Sequence, residues 1–357
     1  MKFCHICRKE IPHLKKHYKR EHPAEYLNRF GKRKLFNQFE KREKTDSLII
    51  ENPLYIRRAM ERTLLAISMQ KSEIYSNLEE ISLECSPDYK NGKEFFHSYE
   101  KEFTPLEKAQ DIMYDAWKEP NQTKRIVLAR RALAISPDCT DAYVLLAEEQ
   151  DISLEEAKDL FEQGVKAGER VFGPDFFREN EGHFWEIVST RPYMRAKFGL
   201  AQVLWELGEY KEAIKHYEEL LHLNPNDNQG VRHHLIISLL EKGYNDKVEQ
   251  LLAQYEIDTS ACWAYSWALW AFRKFGAGPI ANSKLQKALK INPFVPFFLL
   301  GILDGPDELP KYFSIGDINE ALLYAIDAIK CWVFTLNALE WMLTITHSYL
   351  LLNLPKD

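Results

Sequence analysis

Six soft or borderline metal ligands lie within the first 22 residues, in the run FCHICRKEIPHLKKHYKREH, and four of them fall at the spacing of a metal site. Cys4 and Cys7 make a Cys-x2-Cys knuckle, and His17 and His22 make a His-x4-His pair. Thiolates and imidazoles at this spacing suit tetrahedral Zn2+, and four protein ligands leave no open position for an activated water. The expected role of zinc is therefore structural. A segment this short cannot bury enough apolar surface alone, so metal binding would supply most of its folding free energy. His13 and His17 are also one helical turn apart, but only five residues separate Cys7 from His13, little chain in which to turn and start a helix. The expected ligand set is Cys4, Cys7, His17 and His22.

The segment resembles the Cys2His2 finger family. Ile11, four residues after Cys7, and Leu14, three before His17, occupy the places where that family puts its small hydrophobic core. Nine residues separate Cys7 from His17, where the family has about twelve, which implies a shortened finger. Its helix carries Lys15, Lys16, Lys19 and Arg20, and Arg33 and Lys34 follow within an aromatic-interleaved basic stretch. These side chains are the candidate nucleic-acid contacts, because each cation seated on a phosphate releases counterions. One finger reads only about three base pairs, so docking on an acidic protein surface is the competing use of the same charge.

Beyond residue 44 the apolar residues recur at three- and four-residue spacing, with Pro and Gly at the stops, which predicts helix almost throughout. A phrase recurs at the helix ends: ARRALAISPD with Pro137, YEELLHLNPND with Pro225 and LQKALKINPF with Pro293. The last two prolines are 68 residues apart, twice the period of about 34 of the tetratricopeptide repeat. The chain resembles that repeat family most closely from Tyr193 to Asp227, where Ala196, Leu200, Ala201, Leu204, Gly208, Tyr210, Ala213, Tyr217 and Pro225 fall on the motif. Further units are read at 112–137, 143–164, 235–255, 265–293 and 317–338. The implied fold is all-α, a right-handed tetratricopeptide-repeat helical solenoid preceded by a small zinc-finger module.

The expected organisation is a finger over 1–30, a basic then amphipathic helical linker or cap over 31–104, the solenoid over 105–345 and a C-terminal cap over 346–357. An insert near 166–192 breaks the spacing and is expected to form a loop, where binding function concentrates. In tetratricopeptide proteins the first helix of each pair lines a groove. The register places Arg195, Phe198, Gln202 and Trp205 there, with Arg232 and His233 next. His183, Trp185, Arg191 and Asn228 join them from the insert and a turn, making a polar and aromatic set suited to a peptide or small anion. The Lys-x3-Asn clamp for a C-terminal carboxylate is absent at the matching places, Phe198-x3-Gln202 and His233-x3-Ile237.

Longer phrases, among them AQDIMYDAW, LFEQGVKAGE and GHFWEIVSTRPYMRAKFGLAQVLW, resemble a prokaryotic group of tetratricopeptide proteins related to the suppressor of tumorigenicity 7 family, over about residues 105–345. That resemblance implies a helical repeat scaffold without known catalytic residues.

Composition sets the outer bounds. The net charge of −6 conceals a gradient: residues 1–44 hold 14 Lys and Arg against 5 Asp and Glu, which leaves −15 on the remainder. Six cysteines in 357 residues are too few for a disulfide framework, and with no apolar leader in MKFCHICRKE the expected location is cytoplasmic. The apolar run from Trp332 to Leu354 contains Glu340 and His347, so a buried terminal helix is expected rather than a membrane span. No phosphate-binding Gly-rich loop, dinucleotide fingerprint, Gly-x-Ser-x-Gly elbow or His-Glu-x2-His pair occurs. The expected function is a non-enzymatic scaffold for a protein or peptide. The alternative is an adaptor whose basic finger binds DNA or RNA while the solenoid recruits a protein.

Overall fold

The computed structural model describes residues 2–3, 10–11, 103–306, 309–310 and 312–353. From residue 103 onward every regular element is helical. Near the N-terminus a two-residue strand β1 (Lys2–Phe3) pairs antiparallel with β2 (Glu10–Ile11), Lys2 opposite Ile11 and Phe3 opposite Glu10. The helices form two compact units that divide between Val231 and Arg232.

The first unit holds α1 (Pro105–Ala116), α2 (Gln122–Ile135), α3 (Thr140–Glu149), α4 (Leu154–Glu179), α5 (Arg191–Leu207) and α6 (Tyr210–Leu223). Each packs on the next, and α1, α3 and α5 also meet one another in turn. Helix starts are fixed locally. Thr104 and Ser153 close reciprocal capping boxes with Glu107 and Glu156, which satisfies backbone donors that the first helical turn leaves without partners.

Close helix approach depends on small residues. Ala196, Ala201 and Ala213 are fully buried, and a Cβ on Gly164 would stand 3.2 Å from that of Ala196. At Gly199 the ring of Phe161 occupies the space that a side chain would need. Gly208 ends α5 with φ of 85°, a left-handed conformation that lets the chain reverse into α6.

The recurring phrase has one structural meaning. Helices α2 and α6, and the helix Pro279–Ile291 of the second unit, end at Ile135, Leu223 and Ile291, each followed by a buried polar residue (Ser136, Asn224, Asn292) and then proline. Proline cannot continue a helix. The buried polar residue bonds the chain that follows: Asn224 O accepts from Asp227 N, and Asn292 Oδ1 accepts from Phe294 N.

The stretch near 166–192 differs from the expected loop. Helix α4 continues through most of it, broken only at Gly173, where φ is 68° ahead of Pro174. Phe172, Phe176 and Phe177 of this helix pack around Phe184, which is fully buried, and Phe177 and Phe184 also meet Tyr193 of α5. The aromatics form core, and the irregular segment shrinks to about residues 180–187.

The second unit holds α7 (Val231–Lys242), counted from Arg232, with α8 (Asn245–Gln254), α9 (Ala261–Phe275), α10 (Pro279–Ile291), α11 (Val295–Leu299), α12 (Ile318–Val333) and α13 (Ala338–Asn353). Its core is aromatic: Trp263, Tyr265 and Trp332 are almost wholly buried, Trp332 Nε1 donates to Tyr324 Oη at 2.9 Å, and Trp341 stacks on Phe272. Glu320 is buried and accepts from Ala261 N, Asn292 Nδ2 and Gly316 N, so one carboxylate ties α12 to the starts and ends of its neighbours. Among the described residues no helix is long and apolar enough to cross a membrane.

Candidate functional site

The expected groove residues lie in both units, and each unit arranges its own set. In the first unit Arg195, Phe198, Gln202 and Trp205 recur along one face of α5, at the three- and four-residue spacing of a helical stripe. Arg195 is held by its neighbours: Nε and Nη2 donate to the two oxygens of Asp141 at 2.9 and 2.6 Å. Asp141 is fully buried at the start of α3 and also accepts from Gln110 Nε2 of α1 at 2.8 Å. The guanidinium lies 5.7 Å from the ring centre of Trp117. Arg195 thus links three helices and presents little free charge, its side chain being 12% exposed.

Further along the stripe, the rings of Phe198 and Tyr217 lie 6.1 Å apart, Gln202 is exposed and Trp205 meets Tyr210 edge-on at 4.7 Å. His183 and Trp185 stand on the short irregular segment. His183 Nδ1 lies 3.1 Å from Glu186 and is exposed, while Arg191 covers the Trp185 ring at 5.1 Å and donates to its carbonyl. Asn228 is exposed in the turn after α6.

In the second unit Arg232 and His233 converge on Asp258. Arg232 Nε donates to Oδ2 at 2.7 Å, His233 Nε2 lies 3.1 Å from the same oxygen, and Ser260 N donates to Oδ1 at 2.8 Å. Burial works against the Asp258 charge, but bonds from His233, Ser260 and Arg232 outweigh it and hold the carboxyl well below the usual carboxylate range. Ser260 Oγ lies 3.5 Å from His233 Nε2, the nitrogen that also meets Asp258. A nucleophile relay needs serine and carboxylate on opposite ring nitrogens. Ser260 instead caps α9 by accepting from Trp263 N. Arg232 also lies over Tyr255 and Trp263, at 5.4 and 6.0 Å.

Asp141 and Asp258 are the anchors that sequence reasoning missed. Each reads locally as an acidic residue near a helix start, which gives no sign of a basic partner 54 or 26 residues away. The expected zinc ligands Cys4, Cys7, His17 and His22, and the basic residues Lys15, Lys16, Lys19, Arg20, Arg33 and Lys34, lie outside the described residues. Among the described residues no three His, Cys, Asp or Glu side chains are grouped to hold a metal.

A family model described as ST7 protein matches residues 88–356, well over half of the chain. The chain belongs to that family. It is 30% identical over 252 residues to the human suppressor of tumorigenicity 7 protein-like, an alignment covering 64% of this chain and 43% of that protein. The rat protein of the same description is 30% identical over 262 residues, covering 66% of this chain and 46% of its own. The ST7 homolog of Drosophila melanogaster is 29% identical over 248 residues, covering 62% of this chain and 45% of its own. The chain therefore aligns with less than half the length of these relatives. Every groove residue named above falls inside the family match, and the four expected zinc ligands precede it.

Proposed function

We propose that the chain is a non-enzymatic scaffold that binds a protein or peptide in the cytoplasm, its helix pairs being tetratricopeptide repeats of a right-handed solenoid and its N-terminus a zinc-stabilised module. The observation that carries this reading is the repeated helix ending: a buried Ser136, Asn224 or Asn292 followed by proline, alternating with left-handed glycines at Gly208 and Gly243. Such units bury their apolar faces on the next pair and leave first-helix side chains as a surface that can vary with the partner. Gln202 and Trp205 offer a polar and an aromatic contact on such a face. The zinc module rests on the Cys4-x2-Cys7 knuckle and the His17-x4-His22 pair of the sequence.

The test is quantitative affinity capture with the wild type beside a Gln202→Ala/Trp205→Ala variant, with folding checked by circular dichroism. Partners lost selectively by the variant support the groove. An identical partner set from both proteins overturns it.

The charge split favours one second reading, an adaptor whose basic N-terminus binds DNA or RNA. It requires retention on nucleic acid that falls steeply with salt. Wild type and a Cys4→Ser/Cys7→Ser variant that both ignore DNA and RNA at low ionic strength would remove it.

A further inference from the structure

Helix α10 is a basic element in an acidic part of the chain. Residues 45–357 carry a net charge of −15, yet the helix PIANSKLQKALKI holds Lys284, Lys287 and Lys290 and no Asp or Glu. Its apolar positions Ala281, Leu285, Ala288 and Leu289 are buried, which turns the lysines toward solvent. Ile280, Lys284, Lys287 and Ile291 recur at steps of four, three and four residues, so they form one stripe along the helix. Lys290 adds a charge one turn on from Lys287. Ile280, Lys287 and Lys290 are exposed, and Lys284 and Ile291 are half-buried.

The Lys284 end of the stripe is built on aromatic rings. Its ammonium lies 3.8 Å from the centre of the Trp267 ring of α9, and Trp267 meets Trp270 edge-on at 5.2 Å. Trp270 Nε1 donates to Asn245 O of α8, and the Lys274 ammonium lies 4.7 Å from the Trp270 ring centre. Two lysines thus share one pair of indoles, but they differ in their counter-ions. Lys274 meets Glu249 of α8 at 2.7 Å. Lys284, Lys287 and Lys290 have no ion pair among the described residues. Burial first, and the charge of Lys287 after it, hold the Lys284 ammonium below the usual lysine range, and Glu256 acts in the other direction. A cation held on an indole beside a second cation is stabilised by a carboxylate that arrives between them.

Charge and shape together select the occupant. Three lysines without counter-ions match carboxylates, and the isoleucines at the two ends of the stripe match aliphatic side chains. A polyanion fits less well. Duplex DNA carries one charge per roughly 1.7 Å of axis, and a nucleic acid or an anionic bilayer extends past a helix that is only about 20 Å long. Beyond the helix it meets a chain that is acidic overall, and like charges brought together oppose association. A short acidic segment needs only the local charge.

We propose that this face of α10, with Trp267 at its side, docks an acidic peptide segment of a protein partner, its carboxylates on Lys284, Lys287 and Lys290 and an aliphatic side chain on Ile280 or Ile291. The face belongs to the second unit and does not depend on the α5 stripe of the first. A random dodecapeptide library displayed on phage, selected on the full chain at low salt, should enrich peptides that combine several Asp or Glu residues with an aliphatic one. The strongest of them, labelled with fluorescein, should bind Lys284→Gln/Lys287→Gln/Lys290→Gln roughly tenfold more weakly by fluorescence polarisation. Its affinity for the wild type should fall as salt is raised. Lys287→Gln/Lys290→Gln, which alters only exposed side chains, should show part of the loss with an unchanged circular dichroism spectrum, and Gln202→Ala/Trp205→Ala should bind as the wild type does. A library that enriches nothing, enriched peptides without acidic residues, or equal binding to the wild type and the triple variant overturns the proposal. Capture of poly(dT) or of phosphatidylserine vesicles by the wild type and not by the triple variant also overturns it, because the face would then serve a polyanion.

Discussion

Arg195 shows how a polar residue on a binding-type helix face can be structural. Its guanidinium makes a two-point contact with Asp141, which has no exposed surface, so removing the guanidinium leaves a carboxylate facing protein rather than water. Breaking a buried pair from one side costs about 3–5 kcal/mol, far more than the pair itself contributes. Arg195→Ala should therefore lower the unfolding free energy of the first unit, read from urea denaturation, by about 3–5 kcal/mol, with much of the loss recovered in Arg195→Ala/Asp141→Asn. A single variant as stable as wild type would contradict the buried pair. Asp327 behaves oppositely. Its folded pKa of about 6 lies above the ordinary 3.8, so its stabilising contribution is complete below pH 3.8 and is lost as pH rises through about 6. Asp327→Asn, neutral throughout, should melt above wild type at pH 7 and level with it at pH 3.5. The gain should stay within about 1 kcal/mol because solvent screens an exposed carboxylate. Thermal melts at the two pH values check the sign.

Among the elements, the helix ends were legible in the sequence and the longest helix was not. Gly208, Pro225 and Pro293 act through their own backbone, so their roles could be read from residue type alone. The break at Gly173 and Pro174 carried the same local signal and was misread as a loop, because three phenylalanines around it find Phe184 and Tyr193 only in the folded chain. Tertiary burial overrode local punctuation there. The pairings of Arg195 with Asp141 and of Arg232 with Asp258 were hidden for a related reason: they join residues that periodicity places on separate helices without saying which face meets which. Gly199 is the tightest of these approaches. It stands mid-helix in α5, where alanine is intrinsically better, yet the Phe161 ring fills the space of a Cβ and is itself buried. Gly199→Ala should destabilise by about 1–3 kcal/mol through overpacking, and Gly199→Ala/Phe161→Leu should recover part of that. Chemical denaturation of the two variants separates this from simple helix propensity, which predicts a gain.

At the scale of the molecule, the basic N-terminus and the acidic helical remainder make different demands on stability. The helical units bury their own cores, including Met113 and Leu145 in one and Trp263 and Trp332 in the other, and each joins its helices by buried carboxylates at Asp141 and Glu320. A module of some 20 residues has no such core and would depend on its metal. These parts should therefore respond separately to chelation. Protein purified without chelator should carry one zinc per chain by elemental analysis, and Cys4→Ser/Cys7→Ser should carry none. Stripping zinc should leave the helical thermal transition within a degree or two of its starting value, since a metal stabilises only the unit whose folded form binds it. Metal content well below one would remove the finger. A large drop in the helical transition on chelation would instead mean that the +9 segment docks on the acidic helical part and stabilises it. Docking through exposed charges weakens with screening, so that drop should shrink as salt rises from 0.05 to 0.5 M, across which the Debye length falls from roughly 14 to 4 Å. The chelation response thus decides between a finger bound to its own chain and one free to reach phosphate.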